Sequence, residues 1–352
     1  MRTNKPTLLL SKKAGFTLIE VLIVITIIGI LIGLLIPAVG IAYRSVRKSA
    51  IAMEVMTISN AVEKYKTKYG DYPPDGSNAA VMTRHLRKIF PQIAQSELDL
   101  LVAGSNSSTG LSGAVMDPPE ALVFFLGGFS TDPVHPFTGS GGPFAVSPTG
   151  STSPIQYNVD RNAPFFEFRE DQLSLEVIND PGSGAPITVS NDETALALAA
   201  PSGFPGDLLP VYTHSGSNAP IVYFDSRTYS VGGQFNRYQP LGLGAARPYK
   251  STNVNTTTGG TFGDAYYRYE ADKTFQLISA GLDDLYGGLP TPAPGTVPMF
   301  FKFPTGETLD ITKPLAAQTP RTRYIEVEGE PSSQLDNATN FSEGVLEDKL
   351  AN

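Results

Sequence analysis

The 352-residue sequence contains no cysteine and no tryptophan, and only three histidines. Without cysteine there are no disulfides, no thiolate metal sites and no cysteine nucleophile. The missing thiols do not assign a compartment, because a cysteine-free chain can work on either side of a membrane. His85, His135 and His214 are too few for a His-rich metal site. Their wide separation gives no local spacing for zinc. There is no G-x-S-x-G elbow and no EF-hand pattern. Basic residues are the minority, 26 Lys+Arg against 34 Asp+Glu, for a net charge of −8. That balance argues against nucleic-acid binding, which usually needs a basic face. Together these absences argue against an enzyme.

What is present is enough apolar material, 41 % of residues, to build a core and exclude wholesale disorder. The length is near two average domains, but one elaborated domain is equally compatible. The charge is unevenly placed. Arg2, Lys5, Lys12 and Lys13 fall in residues 1–15, which hold no acid. Losing those four charges would move the net charge from −8 to −12. A basic leader ahead of an apolar run is a targeting pattern.

Residues 16–43 read FTLIEVLIVITIIGILIGLLIPAVGIAY. About 20 apolar residues cross a bilayer core, so this run can span. It exceeds the roughly 7–15 residues of a secretory signal core. Cleavage near Ala38-Val39-Gly40 is the competing reading, and the length of the run counts against it. Lys12 and Lys13 predict a cytoplasmic N-terminus, with everything after Tyr43 on the far side. Glu20 interrupts the apolar segment near its start. A carboxylate at the centre of a membrane helix costs about 2.5–3.5 kcal/mol, and such groups usually have a partner. No Lys or Arg lies one turn downstream. Glu20 is either solvated at the interface or paired with an amine, and a chain cut after Gly15 would supply one at residue 16.

The string Lys12-Lys13-Ala14-Gly15-Phe16-Thr17-Leu18-Ile19-Glu20 resembles the prepilin signal of type IV pilins and type II secretion pseudopilins. The resemblance implies cleavage after Gly15 by a membrane aspartyl peptidase and methylation of the new Phe16 amine. It implies that Glu20 pairs with the N-terminal amine of a neighbouring subunit during assembly. Gly29 and Gly33 form a G-x-x-x-G that lets apolar helices approach. Pro37, which also resembles the family, predicts a kink or a locally melted turn.

Ile51, Val55, Ile58, Val62, Tyr65 and Tyr69 recur at spacings of three and four, one stripe of an amphipathic helix. Gly70 predicts its end, and Pro73-Pro74 stops continuation. A helix from about 17 to 69 would be roughly 80 Å long. The stretch Tyr65-Lys66-Thr67-Lys68-Tyr69-Gly70-Asp71-Tyr72-Pro73 is similar to the helix end of major, G-type pseudopilins. Helical pieces are expected within 78–102, interrupted at Pro91, and at 119–127. His85, among Arg84, Arg87 and Lys88, is expected on a surface.

From about residue 128 the chain is rich in Gly, Pro, Ser and Thr. Strand-like runs occur at 156–160, 165–169, 174–178, 220–225, 266–270 and 274–279. Loops are expected at 138–154, 179–192 and 251–264. Tyr266, Tyr267 and Tyr269 read as a half-buried strand rather than a binding surface.

The stretch from Phe275 to Gly288 reads as a strand entering an acidic loop. It is similar to the calcium loop of G-type pseudopilins, which makes Asp283 and Asp284 candidate Ca2+ carboxylates; Asp336 and Asn337 in the tail are further candidates that spacing does not support. The resemblance covers residues 12–75 well, 274–288 loosely and 76–265 hardly at all.

The expected architecture is α+β, with a long N-terminal helix on an antiparallel β-sheet head that carries a large β- and loop-rich elaboration. Its parts are a leader (1–15), a transmembrane or filament-core helix (16–43), an amphipathic helix (44–69) and a periplasmic or extracellular head (70–352). The resemblance implies a structural subunit of a type II secretion pseudopilus. Its partners would be its own copies, other pilin-like subunits, prepilin peptidase and an inner-membrane assembly platform. It would sit in the inner membrane before entering a filament. The alternatives are a type IV pilus pilin for adhesion or DNA uptake, and a membrane-anchored domain of other function.

Overall fold

The computed structural model describes residues 16–102, 116–146, 155–174, 177–179, 186–188, 209–231, 234–239, 243–255, 262–287, 299–317, 324–327, 330–342 and 344–346. The expected leader, Gly15 included, lies outside them. The chain divides into two units, Met1–Arg47 and Lys48–Asn352.

Helix α1 spans Leu18–Tyr69. Its part in the first unit leaves its apolar side chains exposed, Val21, Ile28 and Leu34 among them. Pro37 lies inside the helix, and helical structure runs unbroken past it, so the expected melted turn is not seen. In the second unit the expected stripe is the buried one: Ile51, Val55, Ile58, Ala61, Val62 and Tyr65. The helix stops where Gly70 takes a φ of +73°, a conformation that costs a side-chain-bearing residue more. The Gly70 N–H still donates to Lys66 O at 2.7 Å.

The next turn is fastened from both sides. The Tyr72 hydroxyl donates to Glu63 Oε1 (2.8 Å) and accepts from Lys66 Nζ (2.9 Å). The Tyr223 hydroxyl donates to Pro73 O at 2.8 Å. Three short helices follow: α2 (Ala79–Ile89), α3 (Gln95–Val102) and α4 (Pro118–Leu126). Asn78 caps α2 by accepting from the Ala80 and Val81 N–H groups, each at 3.0 Å. Every residue of α4 is buried. Its C-terminal carbonyls are met by Arg161, whose Nη2 donates to Phe124 O at 2.7 Å. Long-range capping of this kind has no local sequence signature.

Two sheets form the larger β-structure. The strands are β1 (Val222–Asp225), β2 (Lys250–Val254), β3 (Tyr267–Tyr269), β4 (Phe275–Ser279), β5 (Met299–Lys302), β6 (Glu307–Asp310) and β7 (Ala338–Thr339). One sheet has the antiparallel order β7-β4-β1, with Leu277 opposite Tyr223 and Ile278 opposite Thr339. The other has the order β3-β2-β5-β6. Its β2 and β5 run parallel, meeting at Lys250 and Lys302, while the other strand pairs are antiparallel as expected.

Alternation places side chains on both faces of the first sheet. Tyr223, Phe275 and Leu277 join the core that contains the α1 stripe and α4. Val222, Phe224 and Ile278 join a second core with Tyr249, Tyr286 and Phe301.

Several local expectations are corrected. Residues 165–169 are not a strand: the Phe165 N–H donates to Leu126 O, the end of α4, while Phe166 and Phe168 pack on the main core. Residues 251–254, expected in a loop, belong to β2. Phe144–Val146 and Pro186–Thr188, also expected in loops, form short pairs with Ile155–Tyr157 and Val177–Asn179. His85 is buried, 2 % exposed, while its basic neighbours on α2 are exposed. The reason is a partner from α1: Tyr65 Oη lies 2.8 Å from His85 Nε2.

Candidate functional site

The first turn of α1 closes on itself. Thr17 precedes the helix and Glu20 lies three residues on, the spacing of a capping box. The Thr17 N–H donates to Glu20 Oε2 at 2.7 Å, and the Thr17 hydroxyl donates to the same oxygen at 2.8 Å. The Glu20 N–H donates back to Thr17 Oγ1 at 3.3 Å. The box satisfies amide groups that a helix start leaves without intrahelical partners. A carboxylate here also meets the positive end of the helix dipole. Phe16, immediately before the box, is 87 % exposed.

Beyond this turn the described residues contain one helix long and apolar enough to cross a membrane, and it is α1. A Cβ built on Gly29 or Gly33 would meet nothing within 4 Å. Within one copy of the chain, therefore, no close contact requires glycine at either position.

Residues 10–36 match the family model described as the prokaryotic N-terminal methylation motif. The chain carries a pilin-like N-terminus. Gly15, Phe16, Glu20, Gly29 and Gly33 all fall inside the matched span, and Pro37 lies one residue past it. Over that span, and in the apolar helix that continues it, the chain is similar to the N-termini of type IV pilin-like proteins. Comparison with curated proteins finds no significant match. Comparison with solved structures likewise finds none.

The acidic loop after β4 is joined to the tail. Asp336 Oδ2 accepts from the Leu282 N–H (2.9 Å) and the Asp283 N–H (3.2 Å). Gly281 makes the approach with a φ of +74°; a Cβ there would lie 2.3 Å from Asp336 O. Burial, then the nearby Asp283 charge, pushes the Asp336 carboxyl up to about 7. Asp283 Oδ1 accepts from the Leu285 N–H, whereas Asp284 Oδ2 accepts from the Asn218 N–H at 3.3 Å. Asn337 turns instead into the second core, where its Nδ2 donates to Tyr249 Oη at 3.2 Å. Among the described residues no group of three or more His, Asp or Glu side chains is placed to hold a metal. Calcium takes six to eight oxygens. The loop offers the Asp283/Asp336 neighbourhood and little more, so calcium carries no part of the function proposed below.

The other histidines have separate surroundings. His135 Nδ1 lies 3.3 Å from Asp132 Oδ2 on the surface, and His214 Nε2 lies 3.1 Å from Gly281 O.

A buried polar hub went unread in the sequence. Asp75, wholly buried, accepts from Thr228 Oγ1 (2.5 Å), Asn236 Nδ2 (2.8 Å) and the Asp225 N–H (2.9 Å) through Oδ2. Its Oδ1 accepts from the Ser77 hydroxyl at 2.5 Å. Asp225 pairs with Arg227 at 2.6 Å. Arg227 also reaches Asp71 and Tyr72 O. The hub ties the turn after α1 to β1 across some 150 residues of sequence. Only three-dimensional pairing brings these residues together.

Proposed function

We propose that the chain is a structural subunit of a type II secretion pseudopilus. It would be cut after Gly15, methylated on Phe16 and assembled into a helical filament through residues 16–43. The supporting observation is the junction itself. The matched methylation motif contains an exposed Phe16, and a carboxylate stands in the first turn of a helix whose next 23 residues carry no charge. Both Thr17 bonds fall on Glu20 Oε2, and Oε1 takes part in neither. The carboxylate can therefore keep its helix-start bonds and still accept a neighbour's Phe16 amine. A carboxylate in lipid is costly, so seating it beside an amine selects the axial register of the incoming subunit. Gly29 and Gly33 would offer close approach to neighbouring helices. A separate ATPase would power assembly, and the growing fibre would push exported proteins.

The test is intact-mass and N-terminal peptide mass spectrometry on the protein from native membranes. A chain starting at Phe16 with one extra methyl group supports the proposal. A start at Met1 would mean an ordinary anchor, and a start near Ile41 a conventionally cleaved export signal. A gene deletion then separates filament types. Lost export with surface fibres intact supports the pseudopilus, and lost fibres with export intact places the chain in a type IV pilus.

A further inference from the structure

We infer that Arg237 and Arg247 form a binding site for an oxyanion, a carboxylate or phosphate group held between two guanidinium forks. Backbone register brings them together. Tyr238 and Ala246 form an antiparallel bridge, with the Tyr238 N–H donating to Ala246 O (3.0 Å) and the Ala246 N–H donating to Tyr238 O (2.8 Å). Arg237 and Arg247 occupy the adjoining positions, opposite one another across that bridge. In a regular antiparallel pair, positions next to a doubly bonded pair bring Cα atoms to about 4.5 Å with side chains on one face. Like charges directly opposite each other are destabilising unless something compensates.

Among the described residues neither arginine forms an ion pair with a carboxylate. Arg247 is 6 % exposed, and its Nε and Nη1 are buried without a hydrogen-bond partner. Arg237 Nε is in the same condition. Buried donors are almost always satisfied, and charged ones cost most when they are not.

The surroundings add positive charge. The Arg247 guanidinium carbon lies 5.8 Å from the centre of the Phe300 ring, and Lys250 Nζ lies 4.8 Å from the same centre. Lys250 is already matched, to Asp264 Oδ1 at 2.8 Å and to Tyr267 O. Among the described residues the two guanidiniums have no counter-ion, in a chain whose net charge is −8. Burial, and then Arg237, depress the Arg247 pKa to about 10, the direction expected of a cation without an anion. Paired oxygens suit guanidinium forks, which form parallel N–H···O bonds with carboxylates and phosphates. The site is independent of the filament reading.

The experiment is thermal unfolding of the full-length chain in detergent at constant ionic strength, with chloride replaced by inorganic phosphate or by acetate. The expected result is a rise in Tm of about 2 °C for an anion at ten times its Kd. Arg237→Gln and Arg247→Gln should each abolish the rise. Arg169→Gln, at an exposed pair with Asp171, should keep it. No rise in either anion, or an equal rise in all variants, overturns the inference. If Arg247→Gln fails to fold, half-buried Arg237 carries the test alone. Sedimentation without phosphate or acetate separates the sources of the oxyanion. Association that phosphate reverses and Arg237→Gln lacks assigns it to a carboxylate of a second copy. A monomer throughout, together with the thermal rise, assigns it to a free anion.

Discussion

The hydroxyl of Tyr65, on the buried stripe of α1, lies 2.8 Å from Nε2 of His85 on α2, with the rings stacked at 5.7 Å. A tyrosine in a core needs a partner for its hydroxyl, and a neutral imidazole supplies one. Tyr65→Phe should cost about 1 kcal/mol at neutral pH, read from denaturant unfolding of the full chain.

His85 should also give the fold a sensitivity to acid. Burial, and then the Arg227 charge, push its pKa down to about 3 from an ordinary 6.5. Its contribution to stability is complete above 6.5 and is lost as pH falls from there toward 3. The stability difference between wild type and His85→Phe should therefore shrink between pH 7.5 and pH 4.5. A constant difference would show that His85 does not titrate with unfolding.

Asp225 works in the opposite sense. Burial raises its pKa to about 7, against the lowering effect of Arg227. The folded chain holds that proton to higher pH than the unfolded chain. The associated stability is present below about 3.8 and lost as pH rises toward 7. Between pH 5 and pH 8, Asp225→Asn should show a shallower decline in Tm than wild type.

Asp75 has no exposed surface, and its two oxygens satisfy several buried donors. Asp75→Ala strands them together and should cost more than about 3 kcal/mol. Asp75→Asn, which keeps one acceptor oxygen, should cost less. Equal losses in denaturant unfolding would mean that shape, and not acceptor capacity, matters at this position.

Glu20→Ala should leave membrane insertion intact, because it removes only a polar group from an apolar helix. Incorporation into filaments should fall. Filament yield by electron microscopy, measured beside the membrane content of the subunit, reads both.

Gly281→Ala should cost about 1–3 kcal/mol from the left-handed backbone alone. The contact with Asp336 O should add to it. A Tm no lower than wild type would show that the joint between loop and tail accommodates a Cβ at this position.

Features carried by short-range periodicity were legible in the sequence. The α1 stripe and the burial of Tyr267 between less buried neighbours follow from spacing of three to four and of two, and the stop at Gly70 and the break near Pro91 from glycine and proline chemistry. The phenylalanines at 165, 166 and 168 misled for a physical reason. Aromatic density suits a strand, but the Phe165 and Phe166 N–H groups bond the end of α4. His85 misled because its neighbours are basic, while the residue that buries it lies 20 positions upstream. The parallel β2–β5 pair, the Asp75 hub and the Arg237/Arg247 juxtaposition depend on pairings between distant segments, which local pattern does not encode.

The pairing of β7 with β4 has a consequence for biogenesis. Residues 338–339 supply an edge of the sheet whose other strands lie at 222–225 and 275–279. If the head crosses a membrane, as the proposed function requires, that edge would stay open until residue 339 had arrived. An unpaired strand edge invites pairing with other chains. Transport and completion of the head would thereby be coupled in time. A late-arriving or clipped tail would leave β4 unpaired on that side and open to other chains.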